Sequence, residues 1–207
     1  MFNKTLNFTE YVRGRLSELL PEHLADGFVR QAAVLMPFFE QDGDWRLLLT
    51  RRTDEVETHK GQISFPGGMR EEGETLEQTA IRETFEEIGI AAESVEILGR
   101  FRDYLSITDV RVTPFAAVVR QPFNITPHAH EVAEVLRVPL SLFLDPEQLH
   151  VRKDFIINGR IAGDYSWHYG THRIWGLTAL IIHDFFETIQ GTSKNPNSAV
   201  ERPIPKM

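Results

Sequence analysis

Three glutamates, Glu83, Glu86 and Glu87, stand close together in a segment that also carries Arg82 and ends at Gly89-Ile90. The bend Pro66-Gly67-Gly68 precedes them, and Thr75 with Gln78 three residues later has the form of a capping box. Gly89 suits the left-handed position that closes a helix, so the spacing predicts a helix over Leu76 to Ile88. At ~100° per residue, Glu83 and Glu87 fall ~40° apart, with Glu86 ~60° to the other side of Glu83. Like charges so placed repel, at a cost of roughly a few tenths of a kcal/mol per pair. An isolated acidic pair is ordinarily a solvated face. Here Glu83 and Glu87 border the stripe containing Leu76 and Ala80, and a glycine bend, a cap, an arginine and a terminal glycine accompany them.

A divalent cation answers that arrangement. Mg²⁺, or Mn²⁺, prefers hard oxygen ligands and binds through a few carboxylates together with substrate phosphates. Such a centre orients a diphosphate, neutralises its charge and lowers the pKa of a bound water. Arg82, four residues before Glu86, is spaced to hold that carboxylate in place. The chemistry implied is metal-dependent hydrolysis of a phosphoanhydride.

The rest of the chain must position these groups. Its 207 residues, 42% hydrophobic and 25% charged, suffice for one well-buried domain. The formal charge is −8, which argues against a main task of gripping a nucleic-acid backbone. There is no cysteine, so disulfides, zinc–thiolate sites and cysteine nucleophiles are excluded. The opening residues lack the apolar core of a secretory signal, and no run approaches a membrane span. A soluble, cytoplasmic protein with no nucleic-acid or membrane partner is the expectation; a homodimer is left open.

Apolar residues at Tyr11, Val12, Leu16, Leu19 and Leu20 have helical spacing, with Pro21 as the stop. The runs 32–39 and 45–50 flank Asp42-Gly43 and predict a hairpin. A loop over 53–61 then leads to the short run 62–65. Beyond the glutamate helix, strands are predicted over 95–101, 112–120 and 131–138, with a short helix over 140–144. Asn158-Gly159 marks a turn between two further runs, and a last helix spans about 174–189. Residues 1–190 thus form one α/β (α+β) domain, and 191–207, rich in Ser, Asn, Pro and charge, form a flexible tail.

The glutamate segment resembles the Nudix box: Gly, five residues, Glu, seven residues, Arg-Glu, a hydrophobic residue, any residue, Glu-Glu, any residue, Gly, hydrophobic. Gly68, Glu74, Arg82, Glu83, Glu86, Glu87, Gly89 and Ile90 fill the fixed positions. Thr84 departs from the usual aliphatic residue, in the middle of the apolar arc, where it should affect packing more than chemistry. The resemblance implies a Nudix fold, a mixed sheet sandwiched between helices, with the box as loop–helix–loop. It implies Glu83 and Glu87 as metal ligands and Glu86 as ligand or base. The Gly68 carbonyl would complete the shell, and Arg82 would orient the glutamates.

The segment 48–68 carries more. Leu48-Leu49-Thr50-Arg51-Arg52, then His59-Lys60-Gly61, then Phe65-Pro66-Gly67-Gly68 is similar to the signature upstream of the box in the coenzyme A diphosphatase branch. Ile174-Trp175-Gly176-Leu177-Thr178-Ala179 and Glu131-Val132-Ala133-Glu134 are similar to that branch too. The resemblance implies cleavage of coenzyme A, and of acyl derivatives, to 4′-phosphopantetheine and adenosine 3′,5′-bisphosphate. Arg51, Arg52, His59 and Lys60 are then the substrate-binding candidates, positive charge placed before the bend for phosphate. ADP-ribose or NADH as substrate, and a non-catalytic nucleotide sensor, are the alternatives. His128-Ala129-His130 is read as a loop rather than a metal pair, and Trp167, Tyr169 and Trp175 as core.

Overall fold

A computed structural model describes residues 8–19, 30–53, 61–151 and 165–191, together with the backbone of 156–157 and 160–161. Its elements are helix α1 (Phe8–Ser17), strands β1 (Gln31–Gln41), β2 (Asp44–Arg52), β3 (Ile63–Ser64) and β4 (Gly67–Met69), and helix α2 (Leu76–Ile88). Strands β5 (Val95–Arg100), β6 (Tyr104–Leu105), β7 (Arg111–Val119) and β8 (Val132–Pro139) follow, then helix α3 (Leu140–Leu144). The chain continues through β9 (His150–Val151), β10 (Ile156–Ile157), β11 (Arg160–Ile161), β12 (Tyr165–Tyr169), β13 (His172–Trp175) and helix α4 (Gly176–Gln190).

Strands β1 to β8 make one sheet, mixed because β1 runs parallel to β7 while its other pairings are antiparallel. The expected hairpin forms: Gln41 pairs with Asp44, and Asp42 and Gly43 take φ of 55° and 82°, the paired positive values of a tight hairpin turn. What the spacing did not indicate is that the hairpin opens. Beyond Phe38 and Leu47, β1 and β2 part, and residues 62–70 fill the gap. There β4 takes the free edge of β1, with Ala33 opposite Gly68, while β3 takes the free edge of β2, with Thr50 opposite Ser64. The bonds Leu35 N to Pro66 O (2.9 Å), Arg52 N to Gln62 O (3.0 Å) and Arg70 N to Gln31 O (2.8 Å) close the wedge. Backbone groups that a splayed hairpin would strand are thereby satisfied.

Helix α2 covers one face of the sheet, with Ala80 on Ala33, Leu35, Phe115 and Ala117, and Ile88 on Phe39, Leu48 and Val119. Helices α1, α3 and α4 cover the other, around Phe38, Leu47, Leu49, Phe101, Trp167 and Phe185. The molecule is therefore a mixed sheet between helices, as the resemblance implied. None of the described helices is long and apolar enough to cross a membrane.

Several boundaries move. Helix α1 ends at Ser17, before Leu19, with Phe8, Val12 and Leu16 as its buried face; Leu20 and Pro21 lie outside the described residues. Ile174 and Trp175 belong to β13, paired with Trp167 and Ser166, so the last helix starts only at Gly176. Cross-strand pairing outweighed the helical spacing there. The pairs Ile156 with Ile161 and Ile157 with Arg160 close the predicted second hairpin around positions 158–159, which, like tail positions 192–207, lie outside the described residues.

Candidate active site

Helix α2 begins and ends where its sequence says. The Thr75 hydroxyl accepts from the Gln78 amide (3.2 Å), and the Gln78 side chain accepts in turn from the Thr75 amide (2.8 Å). Gly89 closes the helix at φ 74° and donates to the Phe85 carbonyl. The next carbonyls are met from a distant segment, Ile88 by the Thr126 amide (2.8 Å) and Glu87 by the His128 amide (2.9 Å). Thr84 is fully buried, and its hydroxyl is satisfied by the Ala80 carbonyl (2.7 Å).

Arg82 is the hub of the charged network. Its Nε and Nη2 grip both oxygens of Glu74 (2.7 and 3.1 Å), its Nη1 reaches Glu83 Oε1 and Glu86 Oε2 (both 2.9 Å), and Nη2 also donates to the Met69 carbonyl (3.1 Å). A two-toothed guanidinium–carboxylate grip fixes geometry as well as charge. Thr79 and the Glu71 amide complete the shell of Glu74 (2.9 and 3.2 Å). The Arg82 hydrogen bond is the main reason that the Glu74 carboxyl falls from 4.5 to about 2. Glu74 precedes the helix, so helical spacing could not reveal that it anchors Arg82.

Glu83 and Glu87 are in the opposite situation. Burial raises the Glu83 carboxyl, against the pull of Arg82, and the charges of Glu86 and Glu131 push it the same way. Burial also raises Glu87, to about 8, and Glu83 and Glu131 add to it; Arg52 and a Gly67 backbone hydrogen bond pull back. Glu87 is only 5% exposed, and its Oε2 is buried with no hydrogen-bond partner. Gly68 presses its backbone onto Glu83, and a Cβ there would overlap the carboxylate. A partly buried Glu83 that raises a buried Glu87 with an orphaned oxygen makes an oxygen-rich cradle that suits a hard divalent cation. Among the described residues, no three His, Asp or Glu side chains form a ready-made ligand set. Glu86, 54% exposed, stands farther out than Glu83 and Glu87, against Arg82.

The upstream arginines separate. Arg52 is the one whose charge acts on Glu87. Arg51 instead approaches Glu134 (3.5 Å), which also meets His172 Nε2 (3.3 Å). Side chains alternate along a strand, and the ladder with β8 has its irregularity between these two residues. His59 and Lys60 lie outside the described residues. The His128 and His130 rings, 5.8 Å apart, sit in the loop expected for them, and that loop carries Glu131 toward Glu83 and Glu87. Trp167 is buried, whereas Tyr169 and Trp175 are only partly so.

Residues 29–158 match the family described as NUDIX domain. The chain is 35% identical over 171 residues to an uncharacterized Nudix hydrolase, NudL, of Photorhabdus laumondii, a match covering 82% of this chain and 90% of that protein. It is 32% identical over 180 residues to Nudix hydrolase 3 of Caenorhabditis elegans, covering 79% and 75%. Among solved structures, a MutT/nudix family protein from Enterococcus faecalis superposes with a TM-score of 0.53 at 15% identity, over 91% of this chain and 71% of that one. That last likeness concerns the fold alone.

Proposed function

The chain belongs to the Nudix hydrolase family, enzymes that cleave diphosphate bonds in nucleoside diphosphate derivatives, and from that premise we propose that its substrate is coenzyme A. The observation that carries this reading is the segment 48–68, whose motif resembles that of coenzyme A diphosphatases. Both ends of the segment meet at the glutamates: Arg52 acts on Glu87 from β2, and Gly68 lies against Glu83 from β4. The bond from Arg52 N to Gln62 O ties those ends together.

In this reading Glu83 and Glu87, with the Gly68 carbonyl, hold Mg²⁺ or Mn²⁺. When bound, the cation supplies charge neutralisation for the diphosphate and a more acidic water. Arg82 fixes Glu83 and Glu86 relative to one another, and Glu74 fixes Arg82. Glu86, the most exposed of the three glutamates, accepts the proton of the attacking water in this reading, its exposure and its contact with Arg82 being the support. Arg52 meets the negative charge of the diphosphate, and His59 and Lys60 serve the same substrate. Water oxygen bonds to phosphorus, the anhydride P–O bond breaks, and 4′-phosphopantetheine and adenosine 3′,5′-bisphosphate leave. No covalent intermediate is required.

The test is incubation with coenzyme A and Mg²⁺, products identified by mass spectrometry, beside ADP-ribose and NADH at equal concentration. The two named products, formed faster than either competitor is consumed, are expected. Faster cleavage of ADP-ribose would replace coenzyme A as the substrate while leaving the reaction class intact.

A further inference from the structure

The three-stranded sheet of β9, β12 and β13 is distinct from the one that α2 covers and carries two exposed histidines, His150 on β9 and His168 on β12. Their strands pair antiparallel, with His150 opposite Ser166, so His168 is the diagonal neighbour on the same face. Diagonal neighbours are within reach of ring side chains, and here the centroids approach to 5.1 Å with the rings nearly perpendicular (77°). Strand pairing already fixes the two backbones, so what remains is rotation of the two side chains to turn a nitrogen of each ring toward one ion.

Neutral imidazole suits Cu²⁺, Ni²⁺ and Zn²⁺, with Cu²⁺ bound most tightly of the three, and does not suit Mg²⁺. Arg173, opposite His168 on β13, would oppose a cation, but its guanidinium lies toward the Trp175 ring, 5.9 Å from the centroid. No third His, Asp or Glu joins the pair among the described residues, which leaves the remaining positions to water. We propose that His150 and His168 form a two-imidazole surface site for a borderline transition-metal ion, separate from the carboxylate centre. The chain then sorts its metals by ligand hardness: oxygen donors on α2, nitrogen donors on β9 and β12.

Calorimetric titration of the full chain with CuCl₂, then NiCl₂, at pH 7.5 in non-chelating buffer tests this. One Cu²⁺ site is expected, weakened at least tenfold in both His150→Ala and His168→Ala and unchanged in Glu87→Gln. Both histidines are exposed, so their variants should keep the wild-type far-UV spectrum and Mg²⁺-dependent activity. Paramagnetic broadening by Cu²⁺ should reach the ring protons of His150 and His168 first. Cu²⁺ binding that survives His168→Ala, or that is lost in Glu87→Gln or in His128→Ala, would overturn the assignment. So would the absence of any Cu²⁺ site in the wild type.

Discussion

Glu74 and Glu87 belong to one motif, yet their surroundings drive them apart. Glu74 receives two bonds from Arg82 and one each from Thr79 and the Glu71 amide, and its carboxyl falls to about 2. Glu87 is buried beside like charges with one oxygen unpartnered, and its carboxyl rises to about 8. The first is saturated within the chain and holds geometry. The second keeps one oxygen without a partner, as the proposed metal ligand should. Motif position alone does not separate the two roles; partners do.

The sharpest way to break the comparison is Glu87→Gln. Its loss of turnover should exceed the ~10–100-fold typical of removing an outer-shell partner. In the metal-free protein above about pH 8, where Glu87 is charged, the same change should leave the thermal midpoint equal or higher, because a penalised buried charge is removed. Unchanged turnover would remove Glu87 from the metal centre. Next comes Arg82→Ala, which strips Glu74 and Glu83 of their shared partner. Turnover should fall by ~10–100-fold, as for other supporting groups, and here stability should fall too. Calorimetry together with kinetics would separate the two losses.

The smaller effects are in the pH dependence of stability, where the two acids should give opposite signs. Glu74 titrates below its ordinary value of 4.5, so its contribution is complete above that pH and is lost as pH falls toward about 2. Denaturant titrations of wild type and Glu74→Gln should differ at pH 7 and converge in that acid window. Glu87 titrates above its ordinary value. Between about 4.5 and 8 the metal-free native state keeps a proton that the unfolded chain has released, so stability declines as pH rises. With EDTA present, Glu87→Gln should flatten that decline, and saturating Mg²⁺ should reverse it in the wild type. An identical pH slope in Glu87→Gln would mean that burial is not what raises this group.

Much of the site was legible because it is local. Thr75, Gln78 and Gly89 delimited α2, and helical geometry brought Glu83, Glu86 and Glu87 to one side. The mixed sheet between helices followed the resemblance, and the Asp42-Gly43 turn marked the first hairpin. What was hidden is long-range. Arg82 reaches back to Glu74 across the bend, and Thr126 and His128 cap carbonyls of a helix far from them in sequence. The split between Arg51 and Arg52 was within reach of strand alternation, but only after knowing which face of β2 meets α2. Ile174 and Trp175 were mistaken for helix because their strand partners, Trp167 and Ser166, are revealed only by the fold.

The parted hairpin works like a pair of tongs. Its pivot is the tight turn at Asp42-Gly43, its fork is at the buried Phe38 and Leu47, and its jaws hold the bend that bears Gly68. The bend is held in that grip by the bonds Leu35 N to Pro66 O and Arg52 N to Gln62 O, one to each jaw. An inserted residue at the pivot that shifts the jaws is then expected to move Gly68 against the Glu83 carboxylate, so that a change at the tip of the hairpin is felt among the acids.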